Sequence, residues 1–123
     1  MTKNTQDAAE RLLPLSLPIF HMLLALSEGE RHGYALKREI LRRTGGKLNL
    51  GSGALYGSIN KMLEEELIVE SEERPDPHLD DERRRYYRIT PFGRKVVQCE
   101  AVRLRQLVRL AESKLRLPEL AGG

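Results

Sequence analysis

Apolar positions recur at helical spacing through most of this chain and turn strand-like only around residues 67–90. Ala9, Leu12 and Leu13 share a face between Thr5 and Pro14, which predicts a short helix over Thr5–Leu13. Ser16 stands where an N-cap hydroxyl is wanted, and Pro18 where a missing N–H costs nothing, so a second helix runs through IFHMLLAL to a stop at Gly29. Nearly all of it is apolar, which places it centrally in a core. In HGYALKREILRRTGG, Tyr34, Leu36, Ile40 and Leu41 are the expected buried set. Lys37, Arg38, Arg42 and Arg43 form the outer face, and Gly45-Gly46 the stop. Leu48–Leu50 reads as a brief strand. Then comes SGALYGSINKMLEEELI (Ser52–Ile68), a helix with Leu55, Ile59, Met62 and Leu63 facing inward.

Leu67–Glu73 and Arg83–Thr90 are the strand candidates, the second rich in β-favouring Tyr, Ile and Thr. RPDPHLDDE between them, with two prolines, reads as a hairpin tip. Thr90-Pro91 opens a long helix that runs to about Leu117, before Pro118. The expected fold is mainly α with a small β-hairpin (α+β): a winged helix-turn-helix domain plus a C-terminal dimerisation helix. The chain divides into an N-terminal extension (1–15), the winged-helix domain (16–90), the C-terminal helix (91–117) and a tail (118–123).

With 123 residues, 40% of them hydrophobic and 32% charged, this is one small, surface-rich domain. No apolar run approaches the ~20 residues that span a bilayer. MTKNTQDAAERLL lacks the apolar core of a signal peptide, so the cytoplasm is the default expectation. The lone Cys99 has no disulfide partner, and His21, His32 and His78 lack ligand spacing, so neither metal nor cofactor is expected.

The net charge of +3 is mild, but its distribution is segregated. Basic residues dominate Arg31–Lys47, acids dominate Glu64–Glu82, and Arg83-Arg84-Arg85 follows. The Ser52–Ile68 helix repeats this polarity: no carboxylate before Glu64, then three together. In helix-turn-helix proteins the second helix of the motif enters the major groove with its leading turns against phosphates and base edges. Carboxylates there would be repelled, while the trailing turn leaves the groove. Ser52, Tyr56 and Asn60 are therefore candidates for bonds to bases or backbone, with Ala54 on the same leading surface. Lys61 can contact guanine or phosphate. Gly57, costly in a helix by about 1 kcal/mol, fits a close backbone approach to DNA. Lys37 and Arg38 suit the sugar–phosphate backbone. His32 and Tyr34 can reach phosphates too, although His32 equally suits a structural hydrogen bond at a helix start. Alternation puts Arg83 and Arg85 on one strand face with Tyr87, and Arg84 on the other with Tyr86. One arginine set is then expected to meet DNA, or to pair with the adjoining acids away from it.

Three ordered segments, HGYALKREI, then GG and GSGALYGSINKMLEEELI, then ERRRYYRITPFGRKVV, resemble the PadR family of bacterial transcriptional regulators across roughly Leu17 to Val97. The resemblance implies a winged-helix dimer that represses transcription until an effector or stress signal releases it. In the family the recognition segment usually reads like G-T-L-Y-P followed by L-x-R-L-E-x-x-G-L-I. Gly53, Leu55, Tyr56, Leu63, Glu64, Leu67 and Ile68 match it, whereas Ala54, Gly57, Lys61 and Glu66 replace Thr, Pro, Arg and Gly. Lysine cannot reproduce arginine's bidentate geometry, so the operator preferred by relatives need not be preferred here. Some relatives hold flat aromatic ligands with the help of tryptophan. This chain has none, so a small-molecule effector is left without an identity.

Val97, Ala101, Leu104, Val108, Ala111 and Leu115 step by alternating fours and threes, a heptad seam for packing along another helix. Val96, Leu107 and Leu110 widen it. Either the seam packs on its own domain or it joins two copies, and the family resemblance favours a two-fold dimer reading a palindromic operator on double-stranded DNA. The alternative is a winged-helix protein-interaction module, favoured by the acids between Glu70 and Glu82. No phosphate loop, nucleophile–base pair or paired carboxylates point to an enzyme.

Overall fold

The computed structural model describes residues 2–72, 74–75 and 83–119. Its elements follow in the order α1 (Thr2–Arg11), α2 (Leu17–Leu26), β1 (Arg31–His32), α3 (Gly33–Arg43), α4 (Ser52–Glu64), β2 (Ile68–Glu70), β3 (Arg74–Pro75), β4 (Arg83–Arg84), β5 (Tyr86–Ile89) and α5 (Pro91–Lys114). The architecture is mainly helical with one small three-stranded antiparallel sheet, a winged helix.

The apolar α2 forms the centre and packs against α3, α4 and α5. Ser16 caps it by accepting the Ile19 N–H at 3.3 Å, and Ile19, Met22, Leu23, Ala25 and Leu26 are buried. Leu36 and Ile40 of α3, Leu55, Ile59 and Met62 of α4, and Val96 and Val97 of α5 close around it. Each such side chain withdrawn from water contributes roughly 1.5–3 kcal/mol before conformational entropy is subtracted.

Two helix ends set the path through the site. At the end of α3, Gly45 has φ +60° and the Gly46 N–H bonds to the Leu41 carbonyl at 2.8 Å. Thr44 Oγ1 donates to the Ile40 carbonyl and accepts the Leu48 N–H at 3.0 Å, holding the turn into α4. At the end of α4 the same left-handed position falls on Glu66, at φ +60°, with the Leu67 N–H bonded to the Met62 carbonyl at 2.9 Å. Glycine adopts that conformation without steric cost; glutamate does not.

β5 lies between β1 and β2, pairing His32 with Tyr86 and Ile68 with Ile89. β3 and β4 pair beyond them, Arg74 opposite Arg84. Thr90 then ties α5 to the sheet: its hydroxyl accepts the Gly93 N–H at 2.9 Å and donates to the Glu66 carbonyl at 2.7 Å. Gly93 is required by contact, since a Cβ there would lie 2.1 Å from the Leu67 carbonyl oxygen.

Several expectations need correction. The first helix spans Thr2–Arg11 rather than Thr5–Leu13. Leu48–Leu50 forms no strand; Leu50 is buried in the core, and the third strand is Arg31–His32, whose pairing with β5 no local pattern announces. Tyr34 is not buried but 47% exposed, lying beside Arg38, whose guanidinium sits 5.1 Å from its ring. α5 stops at Lys114, and Leu115 is extended, so the last seam position is off the helix. The sharp tip of the expected hairpin, residues 76–82, lies outside the described residues, as does the side chain of Arg83.

Candidate nucleic-acid interface

Three separate parts of the sequence converge beside α4. His32 and Gly33 at the start of α3, Tyr56 and Asn60 on α4, and Arg84, Arg85 and Tyr87 from the wing line one groove of about 370 Å³. The fit is close: a Cβ on Gly33 would come within 3.1 Å of the Tyr56 hydroxyl, so the bare glycine gives the tyrosine ring its place. Gly33 carries no signal in the sequence reading, because its place in the groove depends on α3 and α4 meeting across the fold, whereas alternation had already put Tyr87 on one face with Arg85.

The outward side of α4 is open. Ser52, Gly53, Ala54, Tyr56, Gly57, Asn60 and Lys61 are exposed, while Leu55, Ile59 and Met62 are buried beneath them. A Cβ on Gly57 would meet nothing within 4 Å, so no packing inside the protomer calls for glycine there. α2, α3 and α5 each begin with a side-chain cap, from Ser16, His32 and Thr90. α4 begins at Gly51 with no side-chain cap and no acid in its first turn. Its leading amides thus carry the positive end of the helix dipole without an internal acceptor from a side chain.

The basic residues differ in availability. Glu39 forms ion pairs with Arg42 at 2.8 Å and with Arg31 and Arg43 at 3.5 Å, and Arg43 also bonds Glu28. Burial pushes the Glu39 carboxyl up, but the three guanidiniums together outweigh it and hold the group below the usual carboxylate range. Lys37, Arg38 and Lys61 make no ion pair among the described residues. Arg85 lies 3.6 Å from Glu70, a solvent-exposed pair, while the acids nearest it in sequence lie outside the described residues.

His32 is buried and structural: Nδ1 accepts the Ala35 N–H at 3.1 Å, and its ring meets Tyr86 edge-on at 5.4 Å. Strict alternation also fails in the wing. The strand breaks at Arg85, so Arg84 and Arg85 both line the groove with Tyr87, while Arg88 points outward toward Glu30 at 3.5 Å. Among the described residues no group of three or more His, Cys, Asp or Glu is placed to hold a metal.

The model of the transcriptional regulator PadR-like family matches residues 22–99. The chain belongs to the PadR-like family of transcriptional regulators. A PadR-like regulator from Bacillus cereus superposes with a TM-score of 0.67 at 19% identity, covering 81% of this chain and 92% of that one. A PadR family regulator from Clostridium difficile gives 0.65 at 17% identity over 80% and 97%, and a transcriptional regulator from Clostridium thermocellum 0.66 at 21% over 81% and 93%. At these identities they establish the fold. An uncharacterised 37.1 kDa protein of a Streptomyces fradiae transposon is 34% identical over 80 residues, 65% of this chain. This chain spans about a fifth, 21%, of that relative's length. The family is one of transcriptional regulators. No helix among the described residues is long and apolar enough to cross a membrane.

Proposed function

We propose that this PadR-like chain is a dimeric repressor that reads a palindromic operator with α4 and is released by a signal such as a small-molecule effector. The observation that carries the DNA reading is the outward face of α4, open to a duplex and free of carboxylates through Lys61. Its uncapped N-terminus favours a phosphate, Asn60 bonds to bases or backbone, Lys61 to guanine or a phosphate, and Lys37 and Arg38 act on the backbone. Ser52, Ala54 and Gly57 let the helix approach closely, Tyr56 with Arg84 and Arg85 lines the groove beside it, and Arg83 opens the wing strand. His32 contributes by fixing α3 rather than by touching DNA.

The dimer reading is supported by the second half of α5. Val97 is used by the protomer's own core and Leu104 and Ala111 are half-buried, but Ala101, Val108 and Leu115 are exposed, with Leu107 and Leu110 beside them. A second copy packed on this surface sets two α4 helices on one face of a duplex, with half-sites about 34 Å apart.

In vitro selection from a random duplex library, followed by gel shifts, tests the reading. A two-fold symmetric consensus bound in the nanomolar range is expected, with steep salt dependence. Lys61→Ala and Asn60→Ala should erode discrimination between sequences, whereas Lys37→Ala weakens all duplexes alike. Equal affinity for selected and random DNA at physiological salt would overturn it in favour of a protein-interaction module, the reading that the exposed Arg85–Glu70 pair favours.

A further inference from the structure

Glu100 is a fully buried carboxylate in a helix that is otherwise half free. It is 2% exposed and is the last buried residue of α5. One oxygen accepts the Leu15 N–H at 2.8 Å, and Arg103 reaches both oxygens, Nε at 2.5 Å and Nη2 at 3.1 Å. Leu15 lies in the connection between α1 and α2, and α1 itself packs along α5. The carboxylate therefore sits where three elements meet: the end of the α1 connection, the start of the core helix, and the point at which α5 leaves the body. The Arg103 bond and the Leu15 amide hold its carboxyl well below the usual range against the opposing effect of burial, so it stays ionised at neutral pH.

A buried charge of this kind is a poor source of stability, since an apolar pair of similar volume serves as well or better. Its directional bonds do something that apolar packing does less sharply: they fix an angle. From these contacts we infer that Glu100, clamped by Arg103 onto the Leu15 amide, is the positioning residue that sets the angle between the winged-helix body and the free half of α5, and so the separation of the two α4 helices in the dimer. The inference rests on the dimer reading above. α5 is one continuous helix and its fourteen residues beyond Glu100 extend about 21 Å, so a tilt of the helix by roughly 10° about the Glu100–Leu15 contact displaces the far end by about 4 Å. That is close to the ~3.4 Å step of one base pair, enough to put a half-site out of register. Arg103 also lines a groove of about 650 Å³ between α1 and α5, with Gln6, Glu10, Cys99 and Val102.

The test needs no operator. A nitroxide on Glu64→Cys, at the exposed end of α4, in a Cys99→Ser background reports the distance between the two protomers' recognition helices by double electron–electron resonance. A narrow distribution is expected with Glu100 and Arg103 in place. Arg103→Ala and Glu100→Gln, the latter still an acceptor for the Leu15 N–H, should broaden it by about 4 Å or more. Arg103→Lys, which keeps a single charged bond, should return the distribution most of the way to its narrow width. Arg103 is partly solvent-exposed, so its alanine variant is the one expected to fold normally even if changes at Glu100 do not. An Arg103→Ala dimer with native helicity and an unchanged distribution would overturn the inference while leaving the dimer intact. A sedimentation mass of one chain would instead overturn the dimer reading, and the inference with it.

Discussion

Up to Glu100, α5 belongs to the winged-helix body: Gly93, Val96, Val97 and Glu100 are buried, and Thr90 and Gly93 are locked against the backbone of residues 66 and 67. From Ala101 on, the same helix keeps a comparable apolar spacing but leaves Val102, Leu107, Val108 and Leu110 exposed, Leu110 at 55%. One continuous heptad thus serves two surfaces, one satisfied within the protomer and one left for something else. Periodicity reports that a helix has an apolar side; it is blind to which molecule covers it.

That contrast can be broken in the anchored half first. Gly93→Ala forces a methyl into the Leu67 carbonyl, a backbone atom that cannot rotate away, and should cost about 3 kcal/mol in chemical denaturation. A loss under half a kcal/mol would mean that the junction is looser than the contacts imply. In the free half, Val108→Asp should leave the protomer's helicity unchanged and weaken self-association about a hundredfold, roughly 2.8 kcal/mol by sedimentation equilibrium. An unchanged mass would place the partner surface elsewhere.

A smaller effect belongs to Glu100, where the two halves meet. The Glu100 carboxyl is lowered in the folded chain, as is that of Glu39, so the unfolded chain binds more protons as acid is added. Their contribution is complete above the ordinary glutamate value of about 4.3 and is lost as the pH falls through the lowered folded values. Thermal melts from pH 6 downward should fall less steeply for Glu100→Gln. The smallest change lies outside α5: Glu66→Gly relieves a left-handed glutamate at the end of α4 and should raise stability by about 0.5–1 kcal/mol.

Much of this fold is written locally. Ser16, Thr90 and Gly45-Gly46 mark their helix ends because caps and left-handed stops are interactions within a few residues. The α4 candidates were legible for the same reason, since the side of a helix follows from its period. Several misreadings turn on where the rest of the fold lies. Arg31–His32 is a strand because β5 lies beside it, Leu50 is core without being strand, and Tyr34 turns outward onto Arg38. The Arg84–Arg85 pair escaped strict alternation because the strand breaks between β4 and β5.

The order of helices, the burial side of α4 and its carboxylate-free outer face were determined by the sequence alone, because each depends on neighbours three to seven residues apart, and the likeness to PadR regulators was legible in three ordered segments of it. Tertiary structure decided that Arg31–His32 pairs with β5, that Tyr56 nests on Gly33, and that Glu100 grips the connection before α2. Those are short-range forces between groups far apart along the chain, and they exist only once folding has brought the groups together.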